Sequence, residues 1–510
     1  MTSIAVPELT VIFFITFCKK NIILGGLLMS FILGIILLIV GYFTYGKFVE
    51  KVFGINENRK TPAFTKGDGV DYIPMPTWKV FLIQLLNIAG TGPIFGALQG
   101  ALWGPVAYFW IVLGCIFAGA VHDFTSGMIM VRHDGCSIAE YHGIYLGKVL
   151  KQVMRVFTVV LLLLVGVVFV TSPAMLLSML TAGTFFNKSV WIAIIFIYYF
   201  LATILPIDVL IGRLYPIFGA CLIIMAVGVG GGMLFEGYKI PALTLANLNP
   251  TKAPIFPGLF ITIACGAISG FHGTQSPMMA RCLKTEKDGR KVFYGAMIAE
   301  GIIAMVWATV GMAFYKGGLP ELAQQLTKIG ASGVVYQSCF AVMGALGGVL
   351  AVLGAVICPI TSGDTAFRGA RLLLADIFKI DQKPISKRIT LVLPVFAVGI
   401  ILSQVNFDIL WRYFGWANQT VAMVTLWAAS VYLYKYRGNY HWVTTLPAMF
   451  MTVVTSTYIY TQKIGFNMPR TIGIVLALIT MVVFFTCFMV YGRKYAKTIP
   501  DVSKSSSTAA

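Results

Sequence analysis

Charge is scarce in this sequence. Asp, Glu, Lys and Arg make up only 11% of its 510 residues, whereas 58% are hydrophobic. So few charges cannot cover the surface of a soluble domain of this size, so the solvent of this chain is a bilayer. Catalytic signatures are missing too. There is no GxxxxGK[ST] loop, which excludes ATP hydrolysis by that phosphate cradle. Neither GxSxG nor HExxH occurs, so a membrane hydrolase would lack its usual nucleophile or zinc site. The nine cysteines are scattered without a CxxC pair. Most fall within or beside apolar spans, where Cys behaves as a small apolar residue. Neither a disulfide framework nor a zinc site is expected.

Acidic residues are also few: 19 Asp and Glu face 38 Lys and Arg, for a net charge of +19. The distribution excludes nucleic acid as the partner, because no basic helix carries interleaved aromatics. With spans assigned alternately to two sides, about 28 of the basic residues fall on one side, which the positive-inside rule makes cytoplasmic. That side holds Lys51 to Lys79, Arg132 to Lys151, Arg281 to Lys291, Arg368 to Arg388 and the tail from Arg493.

What is present is a succession of apolar spans. Residues 1–28 look like an extension: Ile4 to Phe17 is too short to cross a bilayer, and Met29 is the expected natural start. One span follows at 29–48. Five more are expected at about 80–103, 107–131, 154–181, 189–206 and 213–235. Another five are expected at about 257–281, 291–315, 338–376 (kinked at Pro359), 388–405 and 414–434, and two close the chain at about 442–461 and 470–492. Residues 29–494 thus form a single transmembrane domain, with repeats at about 80–235 and 257–434. Residues 495–510, which include the low-complexity Ser503 to Ser507, are expected to be a disordered cytoplasmic tail.

The first span of each set of five carries a Gly/Thr/Pro interruption. The first reads Asn87-Ile-Ala-Gly-Thr-Gly-Pro93 and the second Ser269-Gly-Phe-His-Gly-Thr-Gln-Ser-Pro277. Lipid offers no partners to freed backbone groups, so a membrane helix breaks only where those groups face a cavity. Paired breaks at corresponding positions mark the binding site of a secondary transporter. An odd number of spans separates the two sets, so they have inverted topology. An all-α membrane protein with a leucine-transporter-like 5+5 inverted repeat, one extra N-terminal helix and two extra C-terminal helices is expected.

The residues at the breaks suit a small solute. Gly90, Thr91 and Gly92 let backbone approach it closely, and Asn87 adds an amide. The half-helix restarting at Pro93 exposes N–H groups and a positive dipole end, which favour a carboxylate. His272, Thr274, Gln275 and Ser276 add polar side chains around Gly273, and His272 can take up a proton near neutral pH. Intramembrane acids are costly, so His122 with Asp123, Glu300, and Asp364 are candidates for ion coupling. The rival reading for each acid is a salt bridge to Arg132, Arg281 or Arg368. His122, His133 and His142 share no helical face, and the last two are placed in a loop. No metal site is expected from them.

Four stretches closely resemble the carbon starvation protein A (CstA) family. They are the two breaks (the second extended to Arg281), Ala118-Gly-Ala-Val-His-Asp-Phe124, and Cys358-Pro-Ile-Thr-Ser-Gly-Asp-Thr-Ala-Phe-Arg368. The resemblance runs from about Met29 to about Lys494. It implies a bacterial inner-membrane transporter linked to peptide uptake, or to pyruvate uptake with protons, under nutrient limitation. The chain is shorter than the long members, and Gly follows His272 where Ala is common, so the substrate stays open. In the leucine-transporter fold the eighth core helix supplies hydroxyls to a cation. Thr361 and Ser362 fall on that helix here and would hold sodium, or Asp364 would carry a proton instead.

The resulting expectation is a secondary active transporter for a small carboxylate-bearing solute, coupled to H+ or Na+ and most naturally to H+. No cofactor is implied. A passive channel would show neither saturation nor uphill accumulation. A membrane enzyme using His122 and Asp123 would form product in detergent.

Overall fold

The computed structural model describes residues 29–68, 72–204, 207–382 and 384–500. The expectations for residues 1–28 and for Ser503 to Ser507 lie outside them. Among the described residues every regular element is helical. Helix α1, Ser30–Phe53, is the N-terminal span. The first set follows: α2 (Thr77–Ile88) and α3 (Gly92–Trp103), α4 (Val106–Arg132), α5 (Lys148–Leu180), α6 (Lys188–Ile204) and α7 (Ile207–Phe235). The second set is α8 (Ile255–Thr262) and α9 (Gly270–Ala280), α10 (Glu286–Ala313), α11 (Gly318–Phe378), α12 (Ile385–Leu402) and α13 (Phe407–Arg437). Helices α14 (Trp442–Thr461) and α15 (Arg470–Thr498) close the chain. This is the expected leucine-transporter-like order, with both first helices broken; α2 and α3 meet at 57°.

Burial sorts the helices into centre and rim. In α4 and α10, 83% of the most apolar stretch is buried, against 17% in α15. Helix α15 instead presents Ile472, Val475, Ile479, Val482 and Val483 outward, the apolar surface a lipid-facing helix needs. Close helix contact at the centre depends on small residues. A side chain at Gly119 would sit 2.2 Å from the Ala267 carbonyl oxygen.

Three expectations need correction. The span expected from residue 338 starts only after Gly344. Gly330 and Gly344 bend α11 with φ of 69° and 68°, a backbone state that glycine adopts without steric cost, and Pro359 lies inside the final segment. The tail does not begin at residue 495, because α15 continues to Thr498. Ala496 is buried there, and Lys435 Nζ donates to the Ile499 carbonyl, so contacts with α13 hold the segment. His142 is not in a loop but on the short helix Ile138–Leu146, which Ser137 caps by accepting from Glu140 N.

Candidate functional site

Backbone accounting explains the first break. The N–H of Ala89 still bonds to Leu85 O at 2.8 Å, but Gly90 N turns to Ile88 O instead of Leu86 O. Pro93 has no N–H to offer Ala89, and with Gly90, Thr91 and Gly92 ahead of it the helix gives way after Ile88 and restarts at Gly92. The released Leu86 carbonyl is taken by Thr361 Oγ1 and Ser362 Oγ, each donating at 3.1 Å. A buried carbonyl must find such partners, and here α11 supplies them from 275 residues away. Thr361 and Ser362 thus lie against the first break.

The second break is not where the motif suggested. Helix α8 stops at Thr262 and α9 starts at Gly270, so the unwound stretch is residues 263–269, and His272 to Pro277 lie in the restarted helix. Pro277 is well inside α9, where its missing N–H leaves only the Gly273 carbonyl without an intrahelical donor. Tertiary partners set the true break. Trp110 Nε1 donates to the Ile263 carbonyl at 2.9 Å. Asn418 Oδ1, from α13, accepts Phe271 N at 2.7 Å and Ser269 Oγ at 3.1 Å. One N-terminal N–H of α9 is thus already spent on Asn418. Asn418→Ala strands that buried donor and is expected to cost about 1–3 kcal/mol, read as a lower thermal midpoint in detergent. An unchanged midpoint would remove the cap from this account.

The two breaks touch. A β-carbon at Gly92 would sit 2.3 Å from Cys265 Sγ, and one at Gly90 would meet the Phe169 ring at 2.3 Å. Phe169 also packs edge-on to Phe271, with centroids 5.8 Å apart. Asn87, Asp123, His272, Gln275 and Glu300 are all fully buried, so this site is closed to both sides.

Four titratable side chains form a chain beside the junction. His122 Nδ1 is 2.7 Å from Asp123 Oδ1, and His272 Nδ1 is 2.9 Å from Asp123 Oδ2. On the far face of the ring, His272 Nε2 is 3.2 Å from Glu300 Oε2. The rival arginine partners do not reach Asp123 or Glu300; imidazole carries both contacts. Asp364 does follow the salt-bridge pattern, with Oδ1 3.8 Å from Arg368 Nη2 one turn on. His133 and His142 are engaged elsewhere, by Tyr145 OH at 2.6 Å and Thr425 Oγ1 at 3.0 Å.

The other expected polar groups divide. Thr274 and Ser276 donate back to the carbonyls of Phe271 and His272, so their hydroxyls serve α9 itself. Gly273 packs 3.4 Å from the His122 ring, as measured from its ideal β-carbon. Gln275 gives its amide N–H to Thr274 at 2.9 Å and keeps Oε1 without a partner. Thr91 Oγ1 also lacks a partner at the first break. Sequence reasoning missed Cys265, Asn418, Phe169 and Gln84. Gln84 is fully buried with neither amide atom hydrogen-bonded, one helical turn before Asn87. That spacing was a readable signal; the other three are placed by long-range contacts alone.

Comparisons with known proteins agree with this architecture. A solved manganese transporter of Eremococcus coleocola superposes with a TM-score of 0.53 at 11% identity, covering 85% of this chain and 99% of that one. At that identity the likeness concerns the fold. A membrane protein of Haemophilus influenzae without assigned function is 47% identical over 58% of this chain and 93% of its own. The peptide transporter CstA of Campylobacter jejuni is 26% identical over 82% of this chain and 77% of its own. The pyruvate/proton symporter BtsT of Escherichia coli is 24% identical over 82% and 79%. The model of the family described as carbon starvation protein CstA matches residues 26–185, 170–315 and 308–458, which cover most of the chain, and this multi-pass membrane protein therefore belongs to the CstA family.

Proposed function

We propose that the protein imports a small carboxylate-bearing solute, pyruvate or a short peptide, by alternating access driven by a proton gradient. The observation that carries this reading is the contact of the two breaks at Gly92 and Cys265, among the buried polar side chains Asn87, Thr91, His272 and Gln275. Interrupted helices at the repeat interface are where secondary transporters hold their cargo. The positive dipole end of α3 lies at its restart beside this junction, where a carboxylate is favoured. Thr91 Oγ1 and Gln275 Oε1, both buried without partners, offer a hydroxyl and an acceptor to the rest of the solute. The names of the two transport relatives supply the substrate class.

The coupling proton is assigned to Asp364. It is buried on α11 two residues beyond Ser362, which bonds to the first break. Its Oδ1 has no hydrogen bond, and Arg368 stands off at 3.8 Å. Protonation would remove the negative charge beside Arg368 and loosen α11 at the carbonyl that its neighbouring hydroxyls hold.

Proteoliposomes with an imposed inward proton gradient test this. Saturable accumulation of pyruvate or a dipeptide above its external level is expected, abolished by a protonophore. Asp364→Asn is expected to lose accumulation while retaining solute counterflow. Accumulation that ignores the proton gradient and follows sodium would move coupling to Thr361 and Ser362. Flux without saturation or accumulation would favour a channel.

A further inference from the structure

We propose that Cys265, His272 and Glu300 form a site for one divalent transition-metal ion of the zinc class. The sequence alone points to no zinc site among its cysteines, Cys265 included, and to no metal site at His122, His133 and His142. The structure assembles a different trio from the unwound stretch, α9 and α10. One ligand atom from each lies within 4.8 Å of the other two, and all three residues are fully buried. They offer sulfur, nitrogen and oxygen, a donor set that borderline metals accept.

His272 and Glu300 face each other at close range without bonding. Nε2 and Oε2 are 3.2 Å apart, yet neither atom has a partner in hydrogen-bond geometry, and neither does Glu300 Oε1. Two buried groups this close, not aimed at each other, converge on a third point. Metal bonds of about 2.0–2.3 Å place neighbouring donors of a tetrahedron roughly 3.3–3.6 Å apart. The histidine–glutamate separation is already near that value, and the thiol needs a shift of about 1 Å to join them.

The surroundings complete the pattern. Asp123 Oδ2 holds His272 Nδ1 at 2.9 Å. With the proton on Nδ1, Nε2 presents its lone pair to the ion. A carboxylate behind a ligating histidine is the usual outer-shell device for setting that tautomer. His122 anchors the other Asp123 oxygen at 2.7 Å, so Asp123 is fixed in place. Asn418 Nδ2 donates to Cys265 Sγ at 3.5 Å, an amide suited to a thiolate. A thiolate, a carboxylate and a divalent ion sum to zero charge, which limits the cost of holding them at mid-membrane. Three protein donors leave one tetrahedral position for a further ligand.

Metal-stripped protein in detergent, titrated with Co2+, tests this directly. One cobalt per chain is expected, with a thiolate-to-cobalt charge-transfer band that Zn2+ abolishes by displacement. Cys265→Ser should lose that band. Asp123→Asn should keep the band but bind about 10–100-fold more weakly. Size-exclusion profile and thermal transition establish that each variant is folded. Folded wild-type protein without stoichiometric cobalt, or a band that survives Cys265→Ser, overturns the site. The readout needs no transport, so its failure and the failure of the transport reading are separate events.

Discussion

Gly92→Ala is expected to abolish solute uptake. The added methyl would lie 2.3 Å from both Cβ and Sγ of Cys265, where no side-chain rotation gives relief because Cβ is fixed to the backbone. One of the two unwound segments must move, and the junction that holds the solute moves with it. Overpacking of this kind costs about 1–3 kcal/mol, so a lower thermal midpoint should accompany the lost uptake. Cys265→Gly on the same background removes both clashing atoms and should restore the midpoint. Gly231→Ala on α7 is the control: its nearest neighbour is 3.8 Å away, ordinary contact, and alanine is the better helix former. Normal uptake by Gly92→Ala would mean that the breaks separate widely during transport and that their contact is incidental.

Glu286→Ala is expected to give the largest loss of stability, about 3–5 kcal/mol. Glu286 is fully buried at the start of α10. It accepts from Arg132 Nη2 at 2.8 Å, Arg132 Nε at 3.0 Å and Asn56 N at 2.7 Å, with Arg59 Nε 3.7 Å away. Arg132 in turn donates to Tyr432 and to the Gly54 carbonyl, and its guanidinium lies over the Phe53 ring at 4.3 Å. One carboxylate therefore ties α1, α4, α10 and α13 together on the side rich in basic residues. Removing it leaves a buried guanidinium without its counter-charge, which costs far more than the pair contributes when intact. Glu286→Gln keeps an acceptor for Asn56 and should lose less. Lys287→Ala breaks only the exposed pair with Glu57, at 3.3 Å, and should shift the midpoint little, since exposed pairs contribute about 0–1 kcal/mol. Equal midpoints for Glu286→Ala and Lys287→Ala would sink this account.

Legibility differed from residue to residue, and the differences have causes. The first break was readable because Gly90, Thr91, Gly92 and Pro93 follow one another directly, and poor helix formers ahead of a proline weaken the helix locally. The second was misplaced by several residues. Pro277 looked like the same signal but sits where helix tolerates it, while the actual unwinding of 263–269 uses Trp110 and Asn418 as partners. Asp123 and Glu300 stand out as acids about two turns inside the cytoplasmic ends of their spans. Their partner was not readable, because arginines near the span ends look equally suitable until the helices pack. Thr361 and Ser362 are marked by their place on the eighth core helix of the leucine-transporter fold, and their contact with Leu86 comes only from packing.

The sequence alone determined the medium, the order of the spans, the pairing of the two interrupted helices and the types of polar residue at them. These properties are local: apolar length, backbone chemistry and the cost of charge in lipid act within a single segment. Tertiary structure decided which atoms meet. Asp123 and His272 are 149 residues apart, as are Ser269 and Asn418, and no periodicity within one helix encodes a hydrogen bond to another. The same packing turned Cys265, a small apolar residue by its setting in the sequence, into the sulfur beside His272 and Glu300.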